Sequence, residues 1–205
     1  VTTIFSHART LERNSTPTEY LLDMMFTPSH PLNMSRHWNS RYVQVGYGLD
    51  YQRYIRGNWD GVLNDIFDVM KYLDREGLID INRACIYGAS YGGYAATQSV
   101  MMEPDLFKCS VSDVGVYDLV NLFKNGDIQS SRGGKPQLKI RLGTDEERHK
   151  EMSPSYNAKK LTTPFFIIHG ENDIRAPYDD AVLFSKQLNK LGIDHQTLWI
   201  KKEGH

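Results

Sequence analysis

Short apolar and β-branched runs recur along this chain, and most of them are separated by stretches with helical spacing. VTTIFSH at 1–7, RYVQV at 41–45, ACIYGA at 84–89, CSVSDVGV at 109–116, PFFIIHG at 164–170 and HQTLWIKK at 195–202 read as strands. Apolar residues at 62, 66, 69 and 73, and at 63, 67 and 70, form one helical stripe that Gly77 can close. A helix rich in small residues follows 84–89 and runs to about Met102, and another covers 179–191 before Gly192. Strands that are apolar throughout, alternating with helices, predict an α/β fold: a mostly parallel sheet with helices on both faces. Residues 8–40 and 118–160 break the pattern. Both are polar and are expected to be irregular, as functional loops often are.

Length and charge narrow the class. A chain of 205 residues supports one core, and no internal repeat or linker marks a second domain, so 1–205 is read as one catalytic domain. Basic and acidic residues balance at 24 and 25, which leaves no electrostatic footprint for nucleic acid or an anionic membrane. Apolar runs such as 165–168 are far too short to span a bilayer, and no leader pattern opens the sequence. The compartment leans cytoplasmic, with secretion or a periplasmic location left open, as is oligomerisation. Neither CxxC nor HExxH spacing occurs, so no metal or cofactor is expected. Cys85 and Cys109 lie in apolar runs where buried free thiols are the favoured reading, with a disulfide between them as the less favoured one.

The candidate chemistry begins at IYGASYGGY, positions 86–94. No lysine follows Gly92 or Gly93, so this is no Walker loop, and its G-x-S-x-G-G spacing is not that of a dinucleotide fingerprint. It fits a nucleophile elbow. There a serine, Ser90, sits on a sharp strand-to-helix turn at the carboxyl edge of the sheet, where the helix dipole favours developing negative charge. Side chains at Gly88 and Gly92 would clash across such a turn. A serine needs a base, and the base an orienting carboxylate, in the chain order serine, acid, histidine. Of the seven histidines, only His195 and His205 follow a credible acid beyond the elbow. His195 begins the last strand, at the wrong edge of the sheet; His205 follows that strand, at the right one. Glu171, Asp173 and Asp113 all leave the carboxyl ends of strands, and this reasoning does not choose among them.

GASYGGYAA at 88–96, SPSYNAKKLTTPFFIIHGENDIRAP at 153–177 and EGH at 203–205 together resemble the prolyl oligopeptidase family of serine peptidases. The resemblance covers most of 41–205 and implies an α/β-hydrolase fold. It also implies that Asp173 is the triad acid and that the Tyr91 backbone N–H serves the oxyanion hole. By the same resemblance Arg175 faces the substrate, with Val114 and Tyr117 lining the pocket before the scissile bond. A surface salt bridge for Arg175, and plain core packing for Val114 and Tyr117, are the competing readings.

The chain also departs from that family. Members of the acylaminoacyl type carry His-Gly-Gly-Pro after an early strand, whereas here His7 precedes Ala8, Arg9 and Thr10. The Asn-x-Arg-Gly-Ser pattern expected after the next strand is missing where VQV meets GYG at 46–48. Neither a β-propeller before the domain nor a helix after the last strand is present, so the domain is expected to be part of a larger protein. The expected activity is peptide hydrolysis through an acyl-enzyme, with no cofactor. A carboxylesterase on the same fold and a catalytically silent binding module are the alternatives.

Overall fold

A computed structural model describes residues 2–6, 53–54, 56–130 and 133–205. Five strands, β1 (Thr2–Ser6), β2 (Ala84–Ala89), β3 (Cys109–Asp113), β4 (Phe165–Gly170) and β5 (His195–Ile200), lie side by side in chain order. Strands β2 to β5 are parallel, and β1 pairs antiparallel to β2. The expected strand at 41–45 and the Val45–Gly46 junction lie outside the described residues.

Helix α1 (Asn64–Arg75) follows one 3-10 turn, Gly61–Leu63, and α2 (Tyr91–Met102) follows β2 with one residue between them. The segment between β3 and β4 corrects the expectation of an irregular 118–160. It folds as α3 (Leu119–Asn125), α4 (Asp127–Ser130), α5 (Gly134–Leu142), α6 (Glu146–Met152) and a 3-10 stretch, Pro154–Lys160. Helices of four to nine residues are too short to display a period, and α3 and α6 begin instead at side-chain caps. Asp118 accepts from the Asn121 N–H at the start of α3, and Asp145 accepts from the Glu147 and Arg148 N–H groups at the start of α6. Helix α7 (Tyr178–Lys190) then leads to β5.

Alternation along the strands divides the core. Ile86, Phe165 and Ile167 face Ile66, Phe67 and Met70 of α1, Ala95, Ala96 and Val100 of α2, and Ala181, Phe184 and Leu188 of α7. A second cluster, Tyr94, Leu119, Leu122, Leu138, Leu142 and Met152, holds the short helices over the end of α2 nearest Ser90. Of the helices expected on both faces, the described residues supply those of one. On the other face Cys85, Cys109, Val111, Phe166 and Ile168 are buried together. Cys85 and Cys109 are direct partners in the β2–β3 register, their Cα atoms 4.7 Å apart, and they form a disulfide. That corrects the expectation of free thiols. The pairing follows from strand register, which spacing along the chain does not display.

Candidate active site

The elbow is built from the end of β2. Ser90 has φ 60°, the only residue between β2 and α2, and a side chain there is tolerated only under constraint. Its N–H donates to the Asp113 carbonyl at 2.9 Å, and its own carbonyl accepts from the Tyr94 N–H at 3.1 Å. A Cβ on Gly88 would collide with the Gly92 backbone. Gly93, which the sequence reading left out, is as constrained: a Cβ there would lie 2.7 Å from the Asp113 carbonyl oxygen and from the Gly115 Cα. Glycine at both places lets α2 start directly beneath the serine.

The remaining groups arrive from β4 and β5. After Gly170 the chain turns, and the Asp173 carboxylate is buried with Oδ1 accepting from the Arg175 and Ala176 N–H groups at 2.9 and 3.0 Å. The tail after β5 is fastened to the same turn, since Glu171 N–H donates to the Ile200 carbonyl and Asn172 N–H to the Glu203 carbonyl. A Cβ on Gly170 would strike the Glu203 and Gly204 carbonyl oxygens, so the glycine lets the two segments close. This fastening brings His205 to Asp173. Its Nδ1 lies 2.8 Å from Asp173 Oδ2 and its Nε2 2.7 Å from Ser90 Oγ. A carboxylate only accepts, so Nδ1 carries the hydrogen and Nε2 accepts from the serine hydroxyl. The imidazole is 25% exposed while the carboxylate is fully buried.

Of the three acids left open, Asp173 is the one that meets His205. The Asp113 carboxylate accepts instead from the Tyr87 hydroxyl at 2.8 Å, and burial together with that bond pushes the Tyr87 phenol up to about 12. His195 stands at the start of β5 as expected. Its Nδ1 donates to the Ile193 carbonyl, and its Nε2 accepts from the Ser185 hydroxyl at 2.8 Å.

The substrate-facing candidates divide. The Tyr91 amide opens α2 beside Ser90, and its hydroxyl donates to the Trp59 carbonyl while the ring packs edge-on against the Trp59 indole. Val114, partly exposed at the end of β3, has φ 42°, a rare conformation for a β-branched residue, and its N–H donates to the Ile168 carbonyl. Tyr117 lies in the core, the competing reading. It is 1% exposed, stacks on Phe184 and hydrogen-bonds Ser112 Oγ at 2.8 Å. Arg175 is exposed at the rim, with Nη2 3.1 Å from Asp127 Oδ2. That is the salt bridge of the competing reading.

His169 opens the H-G-x-x-D-x-x-x-P run of 169–177 but received no role from the sequence. It lies on the Phe165 and Ile167 side of β4 with no exposure, Nε2 2.8 Å from the Ala176 carbonyl oxygen and 3.4 Å from Asp173 Oδ2. Burial pushes its imidazole below the ordinary histidine range. The available signals were its place in that motif and a polar residue in an otherwise apolar strand run.

A strained serine between a parallel strand and its helix, with acid and histidine delivered by the next strand ends in that order, defines an α/β hydrolase. The chain belongs to the prolyl oligopeptidase family, whose pattern matches residues 44–205. It is 28% identical over 167 residues to dipeptidyl aminopeptidase BIII of Pseudoxanthomonas mexicana, covering 78% of this chain and 24% of that protein. Among solved structures it resembles the acylaminoacyl peptidase of Pyrococcus horikoshii, with a TM-score of 0.69, 27% identity, and 78% of this chain matched to 26% of that one. A puromycin-hydrolyzing peptidase of Mycobacterium tuberculosis superposes with a TM-score of 0.70 at 25% identity, 78% of this chain matching 24% of that one. The chain thus spans about a quarter of the length of these relatives.

Proposed function

We propose that this chain carries the catalytic centre of a serine peptidase that cleaves short peptides through an acyl-enzyme. The observation behind it is the single imidazole of His205, in hydrogen-bond contact with Ser90 Oγ at 2.7 Å and Asp173 Oδ2 at 2.8 Å. As the serine attacks the scissile carbonyl, His205 Nε2 takes the hydroxyl proton, and Asp173 stabilises the resulting imidazolium. The tetrahedral oxyanion forms beside the Tyr91 amide at the amino end of α2, where the helix dipole favours negative charge. The imidazolium returns its proton to the leaving amine. Water, activated by the same histidine, then releases the acyl group and regenerates Ser90. Relatives named for dipeptidyl and acylaminoacyl substrates support peptides as the substrate class.

Val114, strained and partly exposed beside the elbow, contributes to the wall of the acyl pocket, and Arg175 offers its remaining donors to a peptide carbonyl. The test is hydrolysis by the full-length protein of an aminoacyl anilide alongside a p-nitrophenyl ester. Cleavage of both is expected. Turnover of the ester alone would make the protein an esterase and overturn the peptidase reading.

A further inference from the structure

We infer that His169 is a positioning residue for Asp173, holding the acid's turn from inside the core and presenting an N–H dipole to the oxygen that serves His205. The inference rests on the serine-peptidase reading above. The Ala176 carbonyl can only accept, so the hydrogen of the His169 imidazole sits on Nε2, 2.8 Å from that oxygen. The same N–H edge lies 3.4 Å from Asp173 Oδ2, the oxygen bound to His205 Nδ1. His169 therefore contacts the acid turn twice. Through Ala176 it fixes the residue whose amide grips Asp173 Oδ1, and directly it places a partial positive charge against Oδ2.

Two further observations separate this from plain packing. Phe165 and Ile167 occupy the same face of β4 and join the apolar cluster. Yet the chain places an imidazole there, wholly buried, and leaves its Nδ1 with no hydrogen-bond partner among the described residues. A buried acceptor without a partner is a cost that a filler would not carry. The ring also stays uncharged. Burial outweighs Asp173 and Asp113, which would favour the imidazolium, while His205 opposes it; the Tyr117 and Tyr178 rings flank it at 6.3 and 6.2 Å. A neutral donor can steady the carboxylate without cancelling its charge, which Asp173 needs to stabilise the His205 imidazolium.

The sign of the effect follows. Without the Nε2–H, the charge on Asp173 Oδ2 is less compensated, so the His205 imidazolium is favoured and its pKa rises. In the full-length enzyme, His169→Met, similar in size but without a donor, is expected to lower kcat about tenfold with KM within about twofold. The acid limb of its kcat/KM profile should move up by about half a pH unit. His169→Gln, whose amide N–H can reach the same carbonyl, should restore most of the rate and the profile. A folded His169→Met enzyme with unchanged kcat and pH profile, or equal impairment of both variants, overturns the inference. Should the Met variant fail to fold, histidine nitrogen NMR of the wild type decides. A neutral Nε2–H ring that responds as His205 titrates supports it, and an imidazolium or an Nδ1–H ring overturns it. A wild-type enzyme with no hydrolase activity removes the peptidase reading and this inference together, whereas an active wild type with an indifferent His169→Met removes this inference alone.

Discussion

Ser90 keeps a left-handed backbone, at a cost on the order of 1–3 kcal/mol, because the β3 end and the first turn of α2 both hold it there. Its hydroxyl meets His205 as a result. Arg175 is the residue whose role is most open to measurement, since it pairs with Asp127 yet remains 57% exposed at the rim. If it binds a peptide carbonyl, Arg175→Ala should raise KM for peptides about tenfold and leave KM for a small ester nearly unchanged, because only the peptide offers that carbonyl. Equal effects on both substrates would leave Arg175 with the salt bridge alone. Ser90 and His205 stood out in the sequence because a nucleophile and its base need a particular turn or strand end, whereas three acids met that requirement and only the family resemblance pointed to Asp173. For Tyr117 the sequence left pocket wall and core as competing readings, since an aromatic just past a strand has the same signature in both. His169 opens the H-G-x-x-D-x-x-x-P motif that Asp173 completes, yet it was given no role there, because its meaning depends on the Asp173 turn folding back upon it.

Helices α3 and α7 are joined by a partly buried contact in which the Asn121 side-chain amide donates to Asp180 Oδ1 at 2.7 Å. Burial, together with the nearby Asp118 and Asp179, raises the Asp180 carboxyl from 3.8 to about 6, against the lowering effect of the Asn121 bond. A raised carboxylate pKa means that the folded protein binds this proton more tightly than the unfolded chain does. The contribution to stability is therefore largest below pH 3.8 and is lost as pH rises through about 6. Asp180→Asn keeps an acceptor for Asn121 and removes the buried charge. Thermal unfolding should show it more stable than wild type at pH 7 by about 1 kcal/mol, with the difference vanishing near pH 4. A loss of stability at pH 7 would mean that the charge favours the fold, through the amino end of α7. The strands and long helices were legible because burial on one or both faces imposes a period. The short helices between β3 and β4 were not, since two of them start on side-chain caps and they are held by packing over α2.

At the scale of the whole molecule, the parallel order of β2 to β5 gathers the ends of successive strands at one edge. Ser90 leaves β2, Val114 leaves β3, Asp173 follows β4 and His205 follows β5, so a site built from residues 115 positions apart needs no long-range feature beyond the sheet. Sheet order and register were out of reach of the sequence, which is why the Cys85–Cys109 disulfide was the less favoured reading while the edge that carries the site was foreseen. The central claim is that Ser90, activated through His205, is the nucleophile. It is tested most directly by treating the full-length protein with a fluorophosphonate and locating the adduct by peptide mass spectrometry. The expected result is one phosphonylated residue, Ser90, with labelling abolished in a folded Ser90→Ala variant. An adduct on another residue, or labelling that survives in Ser90→Ala, would contradict it.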